Sequence, residues 1–151
     1  MTSALRAVEN VAGPRRVPAA AVSLLAQARH GLAEAGIEAD PGTRYICAHL
    51  AALRAAAAIV AARGEPVSAS RRRRPRSVWE LLPQADPTLS EWAAFFAASA
   101  AKRAAAEAGL PRAASAREAE DLIRDAETFL RVVEQALGLD GQPQLPLRPA
   151  S

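Results

Sequence analysis

The stretch RYICAH, residues 44–49, places an arginine, four residues and one of the chain's two histidines at the start of an alanine-rich helical pattern. Arginine binds anions through a planar set of N–H donors, and histidine exchanges protons near neutral pH. Arg44 and His49 could therefore be a catalytic pair. The alternative is a helix start with a boundary histidine, because His49 lies about 60° from the centre of the predicted apolar stripe of its helix. In that interpretation a neighbouring group simply hydrogen-bonds the imidazole.

Other kinds of site find less support. One cysteine and two separated histidines do not supply a zinc ligand set. Cys47 and His49 lie roughly 200° apart on a helix and cannot act there as nucleophile and base. A Gly-rich phosphate loop is missing. The acidic residues Glu118, Asp121 and Asp125 alternate with arginines, which predicts a solvated, salt-bridged edge. We expect neither a metal nor a cofactor.

A second candidate is a run of five arginines, Arg71, Arg72, Arg73, Arg74 and Arg76. Without these five, fourteen basic and sixteen acidic residues remain, so the basicity that gives the chain its net charge of +3 is local. Such a run can neutralise several phosphates and bind nucleic acid without sequence preference. The alternative is a basic linker of compositional origin, since Lys102 is the only lysine. Trp79 follows closely and could stack on a base, although its place in VWELL favours packing.

The elements that must position these residues are helical. Alanine is abundant, whereas β-branched and aromatic residues are few. Caps and breakers predict an all-α antiparallel four-helix bundle with a short extra helical turn before the third helix. The predicted spans are 19–35, 41–63, 87–108 and 115–137, with the extra turn at 77–83.

Apolar spacing predicts which side of each helix faces inward. In the second helix the large residues recur at steps of four and three, which is typical of a packing face. Leu50, Leu53, Phe96 and Phe129 are expected to share one core. The full predicted stripe of the second helix is Ile46, Leu50, Leu53, Ala57 and Val60.

The bundle is predicted to span residues 18–138, with an Arg-rich loop at 64–76. Residues 1–17 are expected to form a flexible arm and residues 139–151 a disordered, Pro-rich tail. The N-terminus lacks the apolar core of a secretory signal, and we expect no apolar run of membrane-spanning length. A single cysteine suits a reducing compartment. These features predict a cytoplasmic protein without membrane contact.

The pattern as a whole resembles the HEPN superfamily, whose hallmark is Arg-x(4–6)-His. Three stretches also resemble a small actinobacterial branch of it, and the likeness covers roughly residues 18–138. They are RYICAHLAALRAAAAIVAARG, RPRSVWELLP and EWAAFFAASAAKRAAAEAG.

The resemblance implies a metal-independent RNase that dimerises, so that two Arg/His pairs face one composite site. Arg44 would bind the scissile phosphate and His49 would act as general acid or base. The two side chains diverge by about 140° on a straight helix, a constraint that a site shared across a dimer would ease. Tyr45 departs from the polar residue usual after the arginine. Inactive HEPN relatives that bind RNA or a nucleotide are therefore a second hypothesis, and a helical module that docks a protein partner is a third.

Overall fold

A computed structural model describes residues 16–64 and 77–139, and within them every regular element is helical. This confirms the predicted all-α bundle with a short helix before the third. The Arg-rich loop, most of the N-terminal arm and nearly all of the C-terminal tail lie outside the described residues. The elements are α1 (Ala19–Ile37), α2 (Pro41–Arg63), α3 (Val78–Ala85), a 3₁₀ turn (Pro87–Leu89), α4 (Ser90–Ala98), α5 (Ala100–Glu107) and α6 (Ala116–Ala136).

Capping residues fix where three of these helices begin. Asp40 accepts a hydrogen bond from the backbone N–H of Thr43 at the start of α2. Ser77 with Glu80 at α3, and Ser115 with Glu118 at α6, form reciprocal capping boxes. Each cap satisfies N–H groups that have no partner inside the helix. The predicted starts of these helices are therefore confirmed.

The prediction of one unbroken third helix over 87–108 is wrong, because the chain breaks at Ser99 between α4 and α5. The Ser99 hydroxyl donates a hydrogen bond to the Phe96 carbonyl oxygen at 2.9 Å, and the Ser99 N–H donates to the same oxygen at 3.1 Å. Serine side chains compete for backbone groups in this way and so weaken helix interiors.

Helix α2 is the centre of the bundle and contacts α1, α3, α5 and α6. Its buried face consists mainly of alanine, and the predicted inward stripe is wrong: all five of those residues are only half-buried, and only Leu53 of the four larger ones packs against the core. We call this set the outer stripe. The buried residues of α2 are Tyr45, Ala48, His49, Ala51, Ala52, Ala55, Ala56, Ala58 and Ile59.

Close approach of the helices explains why small residues face inward. A Cβ added at Gly31 of α1 would lie 3.7 Å from the Ala51 Cβ and 3.8 Å from the Cys47 carbonyl oxygen of α2. At this crossing point the two helices leave no room for a large side chain between them. The four large residues of the outer stripe are half-buried, and the large side chains of α2 that the core does enclose are Tyr45, His49 and Ile59.

Aromatic side chains fill the remaining core. Phe96 and Phe129 are fully buried with ring centroids 5.2 Å apart, which confirms that prediction, whereas Leu50 lies outside their cluster. Trp79 stacks on Phe96 at 5.3 Å and is 7% exposed. Trp79 is thus a packing residue in this fold.

Helix α2 is long and apolar enough to cross a membrane, with a mean hydropathy of 1.7 over its best window, contrary to the expectation that no run reaches that length. Half of this most apolar stretch of 18 residues is buried inside the bundle. Central helices of folded bundles share this composition because they pack on several sides. The apolarity of α2 is therefore weak support for a membrane span.

Candidate functional site

His49 is fully buried, so the expectation of a histidine at the margin of the core is wrong. Its Nε2 lies 3.1 Å from the Phe96 carbonyl oxygen. The rings of Trp79 and Phe96 contact the imidazole edge-on, with centroids 5.9 and 6.4 Å away. The imidazole therefore joins α2 to α3 and α4 inside the core.

Burial of His49 favours its neutral form, and this effect exceeds the opposite effect of the hydrogen bond to Phe96. A carbonyl oxygen can only accept, so Nε2 carries the hydrogen and donates it. Nδ1 is buried without a hydrogen-bond partner among the described residues. Burial is the main reason that the pKa of His49 is lowered, and the nearby Arg103 acts in the same direction. A group of this kind does not reach an external substrate, and its imidazole carries no positive charge at neutral pH.

Arg44 is also engaged in structural contacts. Its Nε donates to the Ala35 carbonyl oxygen at 3.0 Å, and one terminal nitrogen lies 3.0 Å from the Glu120 carboxylate. These contacts tie the start of α2 to the end of α1 and to α6. The charge of the guanidinium already has a carboxylate partner, which a phosphate would have to displace.

The fold therefore does not bring the motif residues together. Arg44 lies between α1 and α6, whereas His49 points toward α3 and α4, as the roughly 140° divergence predicted. In this structure no single groove presents both groups. Their catalytic assignment stays a prediction, and so does the binding role of Arg71–Arg74 and Arg76, which lie outside the described residues.

Two charged residues of α5 are the ones that act on His49, and sequence reasoning missed them. Arg103 and Glu107 form an ion pair at 3.5 Å, and both influence the imidazole electrostatically. The Arg103 Nε is buried and has no hydrogen-bond partner among the described residues. Their spacing of four was visible in the sequence, but their approach to His49 depends on the packing of α5 against α2, which the sequence does not show.

The predicted acidic edge is salt-bridged at two of its three positions. Glu118 pairs with Lys102 at 3.3 Å, and Asp121 pairs with Arg117 at 3.5 Å. Asp125 differs, because it is half-buried and has no ion-pair partner within residues 16–64 and 77–139. Burial, reinforced by the Asp121 charge, raises the pKa of Asp125.

The acidic edge borders a cleft of about 440 Å³ between α2, α4, α5 and α6. Tyr45 and Phe95 contribute aromatic side chains to its wall, and Leu122 contributes an aliphatic one. Tyr45 is buried, and burial raises the pKa of its phenol. Phe95, by contrast, is 44% exposed.

The described part of the chain offers neither a cluster of metal ligands nor an activated thiol. It contains no group of three or more His, Cys, Asp or Glu side chains arranged to hold a metal ion. Cys47 is half-buried, and its pKa is raised, mainly by burial, with Glu34 and Glu38 adding to the effect. A thiol with a raised pKa is a poor nucleophile at neutral pH.

Comparison with known proteins places this arrangement in a family. No curated protein and no solved structure matches the chain. A family model does match, the one described as SAV_6107-like HEPN, and it covers residues 35–134, which include α2 to α5 and nearly all of α6. The chain therefore belongs to the SAV_6107-like HEPN family.

Proposed function

We propose that this protein is a non-cleaving HEPN domain that works by association: it pairs with a second copy through the outer stripe of α2. It does not use Arg44 and His49 to cut RNA. The absence of cleavage is supported by one observation: His49 is completely buried, and its Nε2 donates to the Phe96 carbonyl oxygen. A general acid or base must come within hydrogen-bond reach of its substrate, and this imidazole is enclosed by protein on all sides.

The outer stripe supports the proposed pairing of two copies. Its large members, Ile46, Leu50, Leu53 and Val60, recur at steps of four, three and seven along four turns of one helix. Helices that pair side by side present apolar residues at this spacing. A second copy is the natural occupant, because a twofold axis would place two identical stripes against each other. Dimerisation is also what the HEPN family implies.

Oligomeric state measured by light scattering tests this proposal. We expect the full chain to be a dimer and Leu50→Glu to be a monomer, because a charge at the centre of the stripe cannot be buried between two helices. Val22→Glu is the matched control: Val22 is an apolar residue of α1, 46% exposed and outside the stripe, and its variant should remain a dimer. A monomeric wild type at high concentration, or a dimeric Leu50→Glu, would overturn the proposal.

RNA binding is a second candidate function, favoured by the five arginines of residues 71–76. It needs no contribution from His49, so an inactive HEPN domain could hold RNA or a nucleotide without cleaving it. The arginines would contact phosphates, and affinity would fall steeply with added salt. A protein partner on the outer stripe is the alternative occupant, and a monomeric wild type that captures one defined partner would favour it over self-association.

A further inference from the structure

The cleft between α2, α4, α5 and α6 carries an inference independent of the outer stripe. Only Tyr45 of α2 lines it, and no member of the outer stripe does. Its volume, about 440 Å³, falls within the range of about 300–1,000 Å³ that is usual for small-molecule sites. The cleft is thus large enough for a small organic molecule.

Two of the three carboxylates that line the cleft are already compensated. Lys102 pairs with Glu118, and Asp121 lies within 4 Å of both Arg117 and Arg124. Asp125 alone has no such partner within the described residues, although it is half-buried. A partly desolvated carboxylate without a cation is costly, and a bound cation would relieve that cost.

The second feature of the cleft is the exposed ring of Phe95. Its ring is 44% exposed and lines the cleft, although the adjacent Phe96 is fully buried. It contacts Phe96 and Trp92 edge-on, with centroids 5.0 and 6.3 Å away, which holds it in place. A fixed, exposed ring near a carboxylate can bind a cation through the ring face and an apolar group by contact.

We propose that this cleft binds a small organic cation, an ammonium or guanidinium group on an apolar body, with the charge at Asp125 and the apolar body against Phe95. Leu122 and Tyr45 complete the apolar wall. Anions are disfavoured, because the three carboxylates of the wall outnumber its single lysine.

Calorimetric titration of the full chain with 2-phenylethylamine tests the assignment, with 3-phenylpropionate as the anionic probe of similar shape. We expect one amine per chain and no binding of the carboxylate. Asp125→Asn should weaken amine binding about tenfold or more, because it removes the negative charge that pairs with the ammonium group. Phe95→Ala should also weaken it, whereas Glu127→Gln, an exposed position on the same helix, should not.

Circular dichroism establishes that each variant is folded before the titration. The carboxyl ¹³C resonance of Asp125 gives an independent readout: the amine should lower the pKa of that carboxyl, because a cation favours the charged form. No amine binding at millimolar concentration would overturn the proposal, and so would equal affinity of the wild type and Asp125→Asn. Binding of a lysine-containing peptide but of no free amine would replace the small ligand with a polypeptide.

Discussion

The Nε2 atom of His49 and the carbonyl oxygen of Phe96 lie 3.1 Å apart, three residues before the break between α4 and α5. That oxygen also accepts from the backbone and the hydroxyl of Ser99. The histidine of the Arg-x4-His motif thus helps to hold the end of a helix. Its imidazole serves the packing of three helices, and this use conflicts with proton transfer to a substrate.

Purified protein should leave varied RNAs intact in a chelator-containing buffer. The wild type and His49→Ala should give the same background on a gel, because the imidazole is not accessible to a ribose hydroxyl. Cleavage by the wild type that disappears in His49→Ala, with products ending in a 2′,3′-cyclic phosphate, would show that the site is active.

Stability should fall as the pH is lowered below the ordinary pKa of histidine, 6.5. The folded state lowers the pKa of His49, so between that lowered pKa and 6.5 the unfolded chain binds more protons than the folded one. Stability therefore rises with pH across this window, and the loss is complete below the lowered pKa. Denaturant unfolding at a series of pH values measures it.

The control for that experiment is His49→Gln, which removes the titrating group and keeps an N–H donor that can reach the Phe96 carbonyl oxygen. Its unfolding free energy should vary less with pH across the same window. His30 remains in both proteins and is exposed, so it does not account for a difference between them. An identical pH dependence of the two proteins would contradict the assignment to His49.

Substitutions in α2 should reverse the usual relation between size and stability. Ala55 is fully buried, and Ala55→Leu should cost about 1–3 kcal/mol or more because the neighbouring helices must move apart. Leu50→Ala should cost less than the roughly 2–5 kcal/mol typical of a buried leucine, since Leu50 is half-exposed. Denaturant unfolding at low protein concentration separates these effects from dimerisation. A larger loss in Leu50→Ala than in Ala55→Leu would contradict the assigned faces.

The salt dependence of nucleic-acid affinity tests whether the arginine run contacts phosphates. If Arg71, Arg72, Arg73 and Arg74 contact phosphates, neutralising all four should reduce the slope of log affinity against log salt by roughly three to four units on duplex DNA. Fluorescence anisotropy across a salt titration provides the slopes. Neutralising three exposed arginines of α6, Arg117, Arg124 and Arg131, is the control, in which the slope should change little. Unchanged slopes in the four-site variant would leave residues 71–74 as a linker.

Helix starts were predictable because local chemistry determines them. Asp40, Ser77 and Ser115 each satisfy N–H groups within three residues, so the information lies next to the boundary in the sequence. Phe96 and Phe129 were predictable as core residues for a related reason, since phenylalanine is among the residue types most often buried and both lie on apolar stripes.

The inner face of α2 was not predictable from hydrophobicity. Periodicity places the large apolar residues inward, but here the separation between helices selects alanine for that position. The wrong expectation for His49 has the same cause, because its position on the helix was referred to the outer stripe and not to the alanine face that is buried. The break at Ser99 escaped prediction because a serine at one helical position carries little signal until a partner such as His49 reaches the freed carbonyl.

The alanine face of α2 separates the residues that pack the bundle from the large apolar residues that can contact a partner. Side-chain volume is restricted on the inner side, where any enlargement strains the whole bundle, whereas the outer side is free to exchange one large apolar residue for another. Sequence change along the outer side can therefore alter which surface α2 recognises without changing how the domain folds. In descendants of such a helix, partner choice and fold stability can diverge independently.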